Sequence, residues 1–200
     1  MTTGASVDPP GSRTASHVGF LRSQTHSSHD ALEQTLDLLR PPLEKARFTA
    51  VLSRFYGFHS VWEAAIAAHP AIAAFARDRS RLPLLRHDLM ALGLSDREIS
   101  RLPLCDDAAA LARTEASALG SMYVVEGSSL GGRLISRGLA EQPWLPATGL
   151  TYFNPYGDRT GAMWQGFKAW CDAQASGLDW TQAAEGARAT FALLQGWLTR

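Results

Sequence analysis

Gly120, Gly127, Gly131 and Gly138 recur at intervals of seven, four and seven residues. At about 100° per residue they fall on one line along an α-helix, within roughly 20° of each other. The residues around them, MYVVE and LISR, read as helix. Each helix-interior glycine costs roughly 0.5–1 kcal/mol relative to alanine. A chain carrying such a line must build a helical body in which something on that face needs the backbone close. Glu126, Arg133 and Arg137 cluster more than about 100° away. That charged side reads as the solvent face, so the glycine line is expected to point inward.

The rest of the chain agrees with a helical body. Helical periodicity begins at Ser16 and stops at Pro41-Pro42, where the missing amide and fixed ring end a helix. A second helix is expected from Leu43 to Ala68, closed by His69-Pro70. Shorter helices follow over 70–79 and over 82–92 up to Gly93. Ser95 with Glu98 forms a capping box for another short one. A long helix is expected over 107–138, a structured loop over 140–159, and helices over 160–176 and 180–199, the last capped by Asp179 with Gln182. No run of β-branched residues alternates as a strand does. The expected fold is an all-α, compact single-domain bundle over 16–200, preceded by a disordered tail, 1–15, rich in Gly, Ser, Thr and Pro.

Formal net charge is zero and charged residues make up 19% of the chain. Nucleic acids and anionic membranes are bound through an excess of Lys and Arg, so neither is expected as a partner. No apolar run approaches the ~20 residues of a membrane span, and the N-terminus has no apolar signal core. Cys105 and Cys171 are far apart and in no ligand spacing, which suits small buried thiols in a reducing compartment. A cytoplasmic protein is expected.

Three readings of the glycine face compete. Close helix–helix packing is the plainest. Phosphate cradling needs glycines in a loop before a helix N-terminus, and these lie inside the helix. The third is a flat, rigid ligand lying against bare backbone, for which a porphyrin is the obvious shape. A porphyrin with iron needs an axial ligand, and six histidines are available: His17, His26, His29, His59, His69 and His87. None sits in zinc-type spacing. In the first helix the apolar stripe is Leu21, Leu32, Leu36 and Leu39, and His26 falls among Asp30, Glu33 and Asp37. His29 lies at the edge of the stripe, where it can point into a pocket with a wet rim, and is the best candidate. Glu33, one turn on, is placed to accept a hydrogen bond from the ring nitrogen not on iron. Arg22, about 10 Å back along the axis, suits an anionic propionate at the ring edge. Without a porphyrin, Glu33 and Arg22 are a solvated helix face.

These residues carry a family likeness. TxxxHxxLE (Thr25, His29, Leu32, Glu33), then YVVEGSSLGG (Tyr123 to Gly132), FNPYG (Phe153 to Gly157), the helix of Trp164 and Phe167, and a last helix with Phe191 and Trp197 together resemble the bacterial heme oxygenases. These include the biliverdin-forming enzymes that supply bacterial phytochromes. The likeness covers most of 16–199; each motif is weak alone, and their order and spacing are fairly specific. It implies that His29 is the proximal iron ligand and Glu33 its hydrogen-bond partner. It implies that Gly127 and Gly131 lie over the heme face and leave room for dioxygen, with Tyr123, Arg22 and Lys168 contacting the cofactor, the two cations at the propionates. Ser128 stands where the animal enzymes have an aspartate that organises distal water. Heme is then both substrate and cofactor. The expected products are biliverdin, carbon monoxide and ferrous iron, with electrons from a ferredoxin or NAD(P)H-dependent reductase and a bacteriophytochrome as a recipient of biliverdin. The chain carries no flavin or nicotinamide fingerprint, so the donor is a separate protein. Two rivals remain at this stage: a non-catalytic heme carrier or sensor, and a thiaminase-like enzyme on the same scaffold.

Overall fold

The computed structural model describes residues 16–36, 38, 43–140, 142–146, 148, 150–174 and 177–200, and of Arg133 the backbone alone. The tail expected over 1–15 and the Pro41-Pro42 stop lie outside the described residues. Among the described residues there are eight α-helices: α1 His17–Leu36, α2 Lys45–Ile66, α3 Pro70–Ala76, α4 Leu82–Ala91, α5 Asp96–Ile99, α6 Glu115–Leu139, α7 Thr160–Ala173 and α8 Trp180–Leu198. Short 3-10 segments, Arg77–Arg79, Asp106–Ala112 and Gly157–Arg159, join them, and no strand occurs among the described residues. The fold is all-α, as the periodicity requires. No helix of the described residues is long and apolar enough to cross a membrane.

Local chemistry explains most boundaries. Pro70 opens α3 at its first turn, where a missing amide costs nothing. Gly93 closes α4 with φ at 108°, a region that favours glycine. The Ser95–Glu98 capping box is formed, and the Asp179 carboxylate accepts from the Thr181 and Gln182 amides to start α8. One expectation fails. The helix expected over 107–138 is two elements, because Thr114 is extended (φ −130°, ψ 159°) and begins α6 through a capping box with Ser117. The alanine-rich run before it winds as a 3-10 segment that buries Ala108, Leu111 and Ala112 against α2.

The core forms where α8 packs against both α6 and α1. α6 and α8 cross backbone to backbone. A Cβ on Gly120 would overlap the Ala183 carbonyl, and one on Gly186 would come within 2.6 Å of the Ser117 carbonyl. Neither backbone can yield without opening the crossing. Gly120→Ala is therefore expected to destabilise by about 1–3 kcal/mol through overpacking, although alanine is the better helix former. Gly127→Ala should not, since its Cβ meets only the Trp164 ring at 3.8 Å. Urea denaturation of both variants checks this, and equal stabilities would mean that the crossing is loose.

The described residues between α6 and the Gly157–Arg159 turn form a loop held by specific contacts, as the Pro, Gly and aromatic content of 140–159 suggests. Fully buried Asp88 on α4 anchors it, accepting from the Thr151 amide (2.9 Å), the Thr151 hydroxyl (2.8 Å) and the Tyr152 amide (2.8 Å). Tyr152 then reaches His59 on α2. The Tyr152 hydroxyl donates to His59 Nε2 at 3.2 Å, and His59 Nδ1 donates to Glu63 Oε1 at 3.1 Å. Glu63 also accepts from the Ser80 hydroxyl at 2.6 Å and the Arg81 amide at 2.8 Å. Burial holds the His59 imidazole below its ordinary pKa, against the pull of the Glu63 carboxylate. Burial opposes ionisation of Glu63, but its donors outweigh it and hold the carboxyl below its usual range.

His59 is thus neutral in the fold, while the unfolded chain protonates it near about pH 6.5. The unfolded state then binds more protons, so this part of the stability is present above that pH and is lost as pH falls below it. His59→Asn keeps a donor for Glu63 and should flatten the loss, by up to about 1.4 kcal/mol per pH unit. Urea midpoints of both proteins at about pH 7.5 and about pH 5.5 measure it. An unchanged slope would mean that the imidazole protonates within the fold.

Candidate functional site

α1 and α6 approach each other where Glu33 Oε1 lies 3.8 Å from the Cβ position of Gly131, and both helices leave residues exposed on the sides that meet there, a shallow cleft between them. α1 buries Val18, Leu21 and Thr25, which leaves Arg22, His29 and Glu33 on an adjoining, exposed strip. His29 is 54% exposed, and its ring packs edge-on against Phe191 of α8 at 6.0 Å between centroids. His26, as expected, stands further out and pairs with Asp30 at 3.0 Å. Around His29, Asp30 Oδ1 is 3.5 Å from Nδ1 and Glu33 Oε1 is 3.6 Å from Nε2, both longer than a well-formed hydrogen bond. The nitrogen nearest Glu33 is therefore Nε2. Any ligand on Nε2 requires the two side chains to turn apart.

The opposite wall is the glycine face of α6. A Cβ on Gly131 would meet only Glu33 Oε1, at 3.8 Å, and one on Gly127 only the Trp164 ring of α7, at 3.8 Å. These two glycines look into the cleft. Gly120 and Gly132 do not, because a Cβ on Gly132 would overlap the Phe153 carbonyl of the loop. Bare backbone thus serves two ends in one helix: close packing at Gly120 and Gly132, and an open face at Gly127 and Gly131. Leu130 and Leu134 are 47% and 62% exposed and share that open side of α6. Sequence patterning passed over them, although two leucines one turn apart beside an open glycine face are the signal of an apolar seat.

Tyr123 is half-buried, with its ring 6.1 Å from that of Trp164. Lys168 is half-buried on α7, one turn beyond Trp164 and one turn before Asp172, which pairs with His17 of α1 at 3.3 Å. Arg22 is exposed two turns before His29. Ser128 is exposed, and its hydroxyl donates to the Val125 carbonyl at 2.8 Å. Ser129 is buried and donates to the Glu126 carbonyl at 2.7 Å. Both hydroxyls spend their proton on α6's own backbone, so toward any further group each can only accept.

The expectation for Glu126 is overturned. It is 3% exposed and pairs with Arg79 and Arg81, while the Tyr156 hydroxyl donates to it at 2.7 Å. The wheel of α6 alone puts a carboxylate toward water; cations brought from the α3–α4 connection allow it to be buried. Arg137, on the same charged side, is exposed as expected. Both cysteines are free and buried. Burial raises the pKa of Cys105 and pushes that of Cys171 up to about 12, which suits inert packing and not a thiolate nucleophile.

The residue types brought together here are those a flat, rigid ring bearing a metal would need. One wall is bare backbone flanked by leucines, and the other carries an imidazole with a carboxylate one turn on. Glu33 lies across the slot toward Gly131 and is 65% exposed, so it has room to swing aside. Residues 18–200 match the profile of the family described as heme oxygenase. Over 116 residues the chain is 39% identical to a heme oxygenase of Xanthomonas campestris pv. campestris, covering 57% of this chain and 64% of that relative's length. Among solved structures, the heme oxygenase of Leptospira interrogans superposes with a TM-score of 0.74 at 17% identity, covering 92% of this chain and 98% of that one. Heme oxygenase-1 of Synechocystis sp. PCC 6803, solved in complex with heme, gives 0.74 at 17% identity, covering 92% and 90%. At such identities these likenesses establish the fold.

Proposed function

The chain belongs to the heme oxygenase family, and from that premise we propose that it opens heme oxidatively to biliverdin, carbon monoxide and ferrous iron. The observation that carries this reading is the pairing across one cleft of the open backbone at Gly127 and Gly131 with His29 and Glu33. Bound heme supplies both the iron that activates dioxygen and the ring that is opened. The protein's part is to bind, orient and exclude.

In this reading His29 would hold the heme iron, and Glu33, turned to the other ring nitrogen, would fix the imidazole's tautomer and orientation. Arg22 and Lys168 hold the propionates through charge-assisted hydrogen bonds. Gly127 and Gly131 would leave the α6 side of the bound ring free of side chains, while Leu130, Leu134, Tyr123 and Trp164 would supply apolar and aromatic contact. Ser128 offers no proton of its own, so it organises distal water only as an acceptor. Electrons come from a separate donor of the ferredoxin or NAD(P)H-dependent reductase class, through weak, electrostatically guided docking. The two inert, buried thiols fit the reducing cytoplasm, and a bacteriophytochrome is the proposed recipient of the product.

Aerobic turnover of the hemin complex with ascorbate or ferredoxin, followed by chromatography of the pigment, tests the reading. Loss of the Soret band with appearance of a biliverdin isomer is expected. A band that persists through reduction in air would identify a carrier or sensor. A protein that stays colourless with hemin would place the chain on the thiaminase-like side.

A further inference from the structure

α6 meets the rest of the protein through close contacts at three heights, six residues apart. Gly120 seats against α8, Glu126 against the arginine pair, and Gly132 against the Phe153 carbonyl. Six residues are about 9 Å along a helix. Gly127 and Gly131 lie between the last two contacts. On the helical wheel Glu126 and Gly132 are each about 120° from the middle of the open face, on opposite sides of it. The open face is thus suspended between two anchors.

The Glu126 anchor is made in a way that stability alone does not explain. Arg79 and Arg81 both pair with it, and side-chain exposure is 8% and 3% for the arginines and 3% for the carboxylate. Arg81 reaches Glu126 Oε1 at 3.3 Å and the Tyr156 hydroxyl at 3.2 Å. Its Nη1 is buried with no hydrogen-bond partner among the described atoms. Desolvating three ions and leaving one donor unmatched costs more than apolar packing of the same volume, and buried ionic triads are often replaceable by apolar residues without loss of stability. What such a triad confers over apolar side chains is direction. Its members join the helices that line the cleft: Arg79 also donates to the Met163 carbonyl of α7 at 3.2 Å, and Tyr156 lies just before α7, whose Trp164 faces Gly127.

We propose that Glu126 is a positioning residue: held by Arg79, Arg81 and Tyr156, it sets the rotation and height of α6 so that Gly127 and Gly131 present backbone to the ring at one fixed distance. The consequence for product specificity rests on the heme reading above; the clamp itself does not.

Tyr156→Phe removes one hydroxyl from the clamp and leaves the ions paired, and Glu126→Gln keeps the shape and removes the charge. Amide hydrogen exchange of the ligand-free proteins is the first readout. In Tyr156→Phe the amides of 127–131 should exchange about 3–10-fold faster, while the slowest amides of α2 and α8, which report global opening, change less. Chromatography of the biliverdin isomers from the hemin complex is the second, and both variants should give a broader mixture than the wild type. Two results overturn the proposal: exchange over 127–131 that rises no more than that of α2 and α8, or local loosening with an unchanged isomer distribution. Should Glu126→Gln fail to fold, Tyr156→Phe decides alone. A wild-type protein that does not bind hemin would sink the heme reading, while the exchange measurement would still decide the clamp.

Discussion

Replacing His29 with alanine is expected to reduce ring opening by at least about 10²-fold, more than about 2.7 kcal/mol of barrier, with almost no effect on folding. The two halves of this expectation have separate causes. His29 is 54% exposed and makes no close hydrogen bond, so its loss should change stability by no more than about 0.5 kcal/mol, as at other surface positions. No other described histidine stands on the cleft to take its place. His26 is three residues earlier, turned outward and paired with Asp30, and His59 is enclosed between Tyr152 and Glu63. The hemin complex of His29→Ala should lose the imidazole-ligated spectrum, and His26→Ala should keep both spectrum and turnover. Glu33→Gln should fall between them, about 10–100-fold down, the usual cost of losing a ligand's hydrogen-bond partner. Optical and electron paramagnetic resonance spectra of the three hemin complexes, with turnover, give the comparison. An unchanged spectrum in His29→Ala would move the axial ligand elsewhere.

What could be read in advance, and what could not, follows from the range of the interactions. Pro70, Gly93, the Ser95–Glu98 box and Asp179 each act within a few residues, so the boundaries they set were legible. The split at Thr114 was not. DDAAALA has good helix propensity, and only its burial against α2 makes the tighter winding the better solution. The line of glycines was legible as a line, because helical geometry alone sets it. Its division was legible in part: the family likeness singled out Gly127 and Gly131 as the open pair, but the contact that makes Gly120 a packing position comes from the Ala183 carbonyl, brought from a distant part of the chain. Glu126 was misread for the same reason. Its partners lie 30, 45 and 47 residues away in sequence, and a single-helix wheel assigns every carboxylate to water until such partners are known. His29 was separable from His26 because a three-residue offset on one helix decides which faces the stripe.

Gly131→Leu should separate the fold from the chemistry most sharply. Leucine is a better helix former than glycine by nearly 1 kcal/mol, and the Gly131 position looks into open space with only Glu33 Oε1 within 4 Å. Helix formation and packing therefore raise no objection, and the ligand-free protein should be as stable as the wild type or slightly more so. Gly120→Leu, by contrast, should not fold, because its first side-chain carbon already overlaps the Ala183 carbonyl. In the proposed site the new side chain would occupy the space over the ring, where the wild type presents backbone alone. Carbon monoxide affinity of the reduced hemin complex should fall by about 10²-fold or more, a steric loss of at least 2.7 kcal/mol, and ring opening should fall with it. Hemin itself should still bind through His29. Gly131→Ala, one methyl group, should show a smaller loss of the same sign together with the gain in stability, because the cost to function grows with the volume placed in the cleft while helix propensity is already satisfied by alanine. Carbon monoxide titration and urea denaturation of both variants test the pair. Full carbon monoxide affinity in Gly131→Leu would mean that the ring sits elsewhere and that the open backbone at Gly131 has no part in holding it.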